Sequence, residues 1–120
     1  MKRFTVISLF PEIVVAYAGE SILKRAAEKK FLAVDAVQLR DFAVDKHRHA
    51  DDKPFGGGPG MVLMVEPIDR ALKSVLGAKK KKARVILTSA RGSIFTQADA
   101  RRLAKYDHVV FLCGRYEGVD

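Results

Sequence analysis

Apolar and polar positions alternate between two kinds of pattern along this chain. Residues 4–10 are nearly continuously apolar, with Thr5 and Ser8 the exceptions. That pattern predicts a strand covered on both faces, as in a parallel sheet. Pro11 and Glu12 then suit the first turn of a helix, carrying Ile13, Val14, Val15 and Tyr17 and ending at Gly19. Ser21 is placed to cap a second helix over residues 22–30, with Ile22, Leu23, Ala26 and Ala27 at helical spacing. Residues 34–39 read as a second strand and residues 61–65 as a short third. Glu66 and Pro67 open a helix carrying Ile68, Ala71, Leu72, Val75 and Leu76, and Gly77 stops it. Residues 84–88 form a fourth strand. Thr96 caps a helix from Gln97 to about Lys105, with Leu103 and Ala104 inward, and residues 109–113 form a fifth strand. Strands and helices in alternation predict an α/β fold, a parallel sheet with helices on both faces.

One stretch interrupts the periodicity. Residues 51–61 read Asp-Asp-Lys-Pro-Phe-Gly-Gly-Gly-Pro-Gly-Met and hold four of the nine glycines and two of the four prolines. No helix or strand interior tolerates that density, so a loop is expected. It lacks the Gly-Lys-Ser/Thr ending of a phosphate-binding loop, and an apolar strand rather than a helix follows. It does not link a first strand to a helix, so it is not a dinucleotide fingerprint. Glycines beside an aromatic ring and two carboxylates suit a backbone that approaches a ligand closely.

Composition narrows the partners. The chain has 120 residues, 48% of them apolar, enough for one domain with one core. Its formal net charge is +8, which favours a polyanion partner. The run Lys79-Lys80-Lys81-Lys82 reads as a solvated turn before a strand, with phosphate contact as the alternative. The single cysteine, Cys113, sits in an apolar run and reads as a buried structural thiol, which fits a reducing cytoplasm. His47 and His49 near Asp51 and Asp52 match no strong metal-ligand spacing, so no metal is expected. No apolar run is long enough to span a bilayer, so no membrane partner is expected.

Three loops leave the carboxyl ends of predicted strands: the glycine loop, Ser89-Ala90-Arg91-Gly92, and Gly114-Arg115-Tyr116-Glu117-Gly118-Val119-Asp120. In an open parallel sheet those ends form the binding edge.

The order Ile7-Ser8-Leu9-Phe10-Pro11-Glu12, Arg40-Asp41-Phe42, Asp45-Lys46-His47, the whole glycine loop, Ser89 with Gly92, and Cys113 to Asp120 resembles the bacterial tRNA (guanine-N1)-methyltransferase family of the trefoil-knot (SPOUT) class. The resemblance spans the chain. It implies transfer of a methyl group from S-adenosylmethionine to N1 of the guanosine just 3′ of the tRNA anticodon, by a cytoplasmic homodimer with active sites across the subunit interface. It implies that Leu87, Thr88, Ser89 and Ala90 border the adenosine, and that Gly114, Tyr116, Glu117 and Gly118 wall the cofactor. Asp51, Gly58, Pro59 and Gly60 would face the guanosine. Arg115 and Glu117 would support catalysis, with the main base beyond Asp120. Residues 1–120 would then be the knotted methyltransferase domain cut before its knot is complete, without the tRNA-gripping second domain, and inactive alone. Ala90 and Phe55 depart from the family, which often has Pro and Tyr there. The alternative is a non-catalytic basic α/β module that holds RNA.

Overall fold

The computed structural model describes residues 1–43, 51–52, 62–63, 65–77, 82–88, 94–113 and 118–119. In order they form β1 (Lys2–Ser8), α1 (Pro11–Ala18), α2 (Ser21–Glu28), β2 (Leu32–Gln38), a 3-10 turn (Leu39–Phe42), β3 (Asp51–Asp52) and β4 (Val62–Leu63). Then follow α3 (Val65–Leu76), β5 (Ala83–Thr88), α4 (Gln97–Leu103), β6 (His108–Cys113) and β7 (Gly118–Val119).

Four strands make the main sheet, in the order β2-β1-β6-β5, all parallel. The expected α/β architecture is therefore present. Parallel partners share a face, so the register sorts the side chains. Ile7, Val110 and Leu112 lie on one face. With Leu9 and Leu39 they pack against Ile68 and Ala71 of α3, and Val37, Phe42, Leu72, Val75 and Leu76 border them. Full burial of each such aliphatic side chain contributes about 1.5–3 kcal/mol. The other face carries Phe4, Val6, Val34 and Phe111. With Ile13, Val14 and Tyr17 of α1 and Leu23 of α2 they line an apolar cavity of about 510 Å³. Helices thus cover both faces, α3 closely and α1 with α2 loosely.

Several sequence expectations shift. The first strand runs from Lys2 to Ser8, which leaves Leu9 and Phe10 outside it. It is fully covered on one face only, because Phe4 and Val6 are half-buried against the cavity. No residue of α1 is buried, although only Glu12 in it is charged: Ile13, Val15 and Tyr17 are exposed. In α2, Ile22 and Ala27 are exposed while Leu23 and Ala26 are half-buried. Ser21 does not cap α2. Its φ is 52°, it is the first helical residue, and extended Glu20 precedes it with no side-chain cap bond. Cys113 is half-buried rather than enclosed. In α4, Leu103 is buried as expected, but Ala104 is the exposed C-terminal cap.

The largest correction concerns the predicted third strand. Val62–Leu63 does not join the parallel sheet. It pairs antiparallel with Asp51–Asp52 on one side and parallel with Gly118–Val119 on the other. Val65 already belongs to α3, where Pro67 fits the first turn because no helical N–H is needed there. Asp51–Asp52, expected in a loop, is a short strand.

Candidate functional site

All four strands of the main sheet point the same way, so their carboxyl ends share one edge. The chain leaves β1 toward β2 on one side and comes back through β5 to β6 on the other. The carboxyl ends of β1 and β6 therefore flank a topological switch point, where open α/β sheets bind ligands.

Side chains fix that edge. The Ser8 hydroxyl accepts from the Phe10 N–H at 3.0 Å. The Gln38 side chain donates to the Leu9 carbonyl at 3.1 Å and accepts from the Arg40 N–H at 3.2 Å. One amide thus ties the exit of β1 to the turn that ends β2. Sequence reasoning missed Gln38, yet a lone amide closing the apolar run at Val37 is the signal. Arg70 of α3 donates to the Phe42 carbonyl at 3.4 Å, so the Arg40-Asp41-Phe42 segment is held from the helix side as well.

Of the expected cofactor residues, Leu87 and Thr88 end β5 on this edge. Thr88 pairs with Cys113, and its hydroxyl donates to the Leu112 carbonyl at 3.2 Å. Leu87 is 50% exposed, so an apolar surface stands open beside the strand end. Gly118 lies beside Val62, and Asp51 lies opposite Leu63. Only four residues separate Cys113 from Gly118, and one separates Leu63 from α3. A connection of four residues makes five Cα–Cα steps and spans at most about 18 Å, so the small sheet adjoins the carboxyl edge. It brings together the two ends of the glycine loop and the segment after β6. Ser89, Ala90, Gly58, Pro59, Gly60, Gly114, Arg115, Tyr116 and Glu117 lie outside the described residues, as do His47 and His49.

The apolar cavity beneath α1 does not suit a nucleoside ligand, because aliphatic and aromatic side chains line it and only Tyr17 among them carries a polar group. Among the described residues, no three His, Cys, Asp or Glu side chains are grouped to hold a metal ion. No described helix is long and apolar enough to cross a membrane.

Two pKa shifts occur away from this edge. The Thr96 N–H bonded to the Asp99 carboxylate holds that carboxyl below its usual range, aided by the Thr96 hydroxyl and Arg102. Partial burial, with Arg3 nearby, pushes the His108 imidazole down, and Asp35 opposes this. Thr5 Oγ1 and His108 Nε2 share a hydrogen bond of 2.8 Å. Both groups serve the scaffold: α4 starts at one, and β6 starts at the other.

Comparison with known proteins decides what this edge belongs to. The profile of the tRNA (Guanine-1)-methyltransferase TrmD family matches residues 1–120. The chain belongs to that family. A tRNA (guanine-N(1)-)-methyltransferase of Geobacter metallireducens is 49% identical over 98% of this chain and 48% of its own length. One from Magnetococcus marinus is 51% identical over 98% of this chain and 46% of its own. The crystal structure of the tRNA (m1G37) methyltransferase from Aquifex aeolicus superposes with a TM-score of 0.88 at 38% identity, over 99% of this chain and 53% of that one. The fold is thus that of the TrmD family, the trefoil-knot class, and family membership implies a methyl donor. The chain spans about half the length of the curated relatives it matches.

Proposed function

We propose that the protein carrying this chain transfers a methyl group from S-adenosylmethionine to N1 of a tRNA guanosine, the one next to the anticodon (position 37, as in the solved relative's m1G37 product). The supporting observation is the three-stranded sheet in which β4 lies between β3 and β7. The segment assigned to the guanosine and the segment assigned to the cofactor flank one strand, so one shared strand sets their spacing.

The chemistry follows from the target. Guanine N1 carries a proton at neutral pH, so that proton must leave to a base while the N1 lone pair attacks. When bound, S-adenosylmethionine supplies a methyl group on a sulfonium, a neutral thioether being the leaving group. In-line displacement needs N1 opposite the sulfur, which makes positioning the main demand on the protein. Leu87, Thr88, Ser89 and Ala90 would border the adenosine at the end of β5. Gly114, Tyr116, Glu117 and Gly118 would wall the other side. Leu87 and Thr88 fit the role, being exposed at the switch-point edge. Asp51, Gly58, Pro59 and Gly60 would hold the guanosine, with Arg115 and Glu117 in support. The base itself, the rest of the cofactor pocket and a second tRNA-gripping domain would lie in the half of the relatives' length that this chain does not span.

A homodimer is part of this reading. A helix that is apolar all round belongs in an interior. In α1, Ile13 is 70% and Tyr17 75% exposed, which supports coverage of that face by a second copy. A cytoplasmic location fits a tRNA substrate. The alternative, a basic module that holds RNA without chemistry, is less favoured, because the family relatives are named as methyltransferases.

Titration calorimetry with S-adenosylhomocysteine on a chain extended beyond Asp120 tests the cofactor half of this reading. Saturable heat is expected. No heat at high ligand concentration would favour the binding module.

A further inference from the structure

The opposite edge of the main sheet has a chemistry of its own. Backbone hydrogen bonds run across the entrances to all four strands. The Lys2 N–H donates to the Phe31 carbonyl at 3.2 Å, the Arg3 N–H to the Asp107 carbonyl at 2.9 Å, and the Asp107 N–H to the Lys82 carbonyl at 2.9 Å. Phe31 and Lys82 therefore stand at the two ends of one row. Three interstrand spacings of about 4.8 Å put them roughly 14 Å apart.

That row is basic and carries an exposed aromatic ring. Phe31 is 68% exposed and follows Lys29 and Lys30. Lys29, Lys30, Lys82 and Lys105 are exposed, and none has an ion pair among the described residues. Arg3 is already paired with Asp35 at 2.8 Å, and the Lys2 ammonium donates to the Ala104 and Tyr106 carbonyls at the end of α4. Glu28 and Asp107 are the acidic residues adjacent in sequence to these lysines and to the row, and neither forms an ion pair with them among the described residues, so positive charge remains in excess.

Backbone geometry adds a second observation. Lys30 has φ 61° and Lys82 has φ 53°. Both sit in the left-handed region, where glycine is favoured. Lys30 N–H donates to the Ala27 carbonyl and Phe31 N–H to the Ala26 carbonyl, both at 3.0 Å, a turn that usually ends on glycine. A cation after α2 complements the helix dipole, but Lys82 precedes a strand, where no dipole accounts for it. Two lysines thus hold strained positions at the two ends of one edge.

We propose that this amino-terminal edge is a second RNA-binding surface, on which Phe31 stacks with an unpaired base while Lys30 and Lys82 hold phosphates. Aromatic rings beside lysines bind single-stranded RNA without reading its sequence, because every base offers a face. The surface lies one strand length, about 20 Å, from the carboxyl edge, so it is separate from the candidate site. The proposal rests on the reading that RNA is the partner, and it adds a contact away from the target guanosine.

A short labelled oligouridylate tests it on the complete protein. It contains no guanosine, so it cannot present the methylation target. Phe31→Leu, which keeps an apolar side chain, should weaken binding about ten-fold, and Phe31→Trp should restore it. The double variant Lys30→Gly with Lys82→Gly should weaken binding and reduce the salt slope by about 1.4, with an unchanged or raised Tm. Binding within two-fold of the parent in both variants would overturn the proposal. So would failure of the parent to bind the oligomer at low salt, or binding to anionic phosphatidylserine vesicles alone. Failure of the parent to methylate tRNA would instead count against the proposed reaction and leave this binding result standing.

Discussion

Val62 lies beside Gly118 in parallel register, and Asp52 flanks it from the other side. This two-residue strand is the point where two distant motifs meet. It makes the proposed substrate loop and the proposed cofactor wall parts of one sheet. Neither segment can shift its register without disturbing β4.

Replacing Val62 with proline removes a backbone N–H from a strand that has partners on both sides, where proline is not tolerated. In the complete protein, Val62→Pro is expected to lower both S-adenosylhomocysteine affinity and kcat/KM for tRNA by about ten-fold or more. Val62→Ile should stay near the parent. Calorimetry beside steady-state kinetics separates the two effects, and cofactor-analogue affinity unchanged in the proline variant would mean that the segments are independent.

Asp51→Ala is expected to weaken tRNA methylation more than cofactor binding. A lost charge-assisted hydrogen bond costs about 1.5–3 kcal/mol, or roughly ten-fold and upward in kcat/KM for tRNA. Equal loss in both measurements would move the loop into the cofactor pocket.

The start of α4 depends on a reciprocal cap. Thr96 Oγ1 accepts from the Asp99 N–H at 3.2 Å, and the Thr96 N–H donates to Asp99 Oδ2 at 2.9 Å. Thr96→Ala should cost about 1 kcal/mol in urea unfolding. Because the folded Asp99 carboxyl is held below its ordinary value, its contribution is present at neutral pH and is lost as pH falls through the acid range. A Thr96→Ala difference that did not shrink toward low pH would contradict this account of the cap.

His108 gives an acid sensitivity of the opposite origin. Its folded pKa lies below the ordinary 6.5 because burial disfavours the imidazolium. The unfolded chain therefore takes up a proton first as pH falls through that value. Stability should drop from pH 7 toward pH 5 and level off once the folded form is protonated too. His108→Gln should flatten that slope in urea midpoints measured across the range; an unchanged slope would assign the effect to other groups.

Much of the scaffold was legible in the sequence. The apolar run around Ile7 and the helical spacing of Ile68, Ala71 and Leu72 reported real core contacts, because each pattern marks one buried face. Thr96 signalled the cap of α4 through local sequence alone, and the structure adds Asp99 as its reciprocal partner. The small sheet was not legible. Asp51–Asp52 has no β-forming side chains, and Gly118 lies far along the chain, so no local pattern announces the pairing. The exposure of α1 was equally hidden, since an apolar helix reads as buried whether or not its cover is within the same chain. For the site, Leu87, Thr88, Asp51 and Gly118 fall at or beside one edge, while the other proposed residues lie outside those described.

The central claim is the reaction. The complete protein should be incubated with methyl-labelled S-adenosylmethionine and tRNA, and the RNA digested to nucleosides. We expect label in 1-methylguanosine, abolished when the guanosine next to the anticodon is replaced. Label in another nucleoside, or none above the enzyme-free control, would contradict the account.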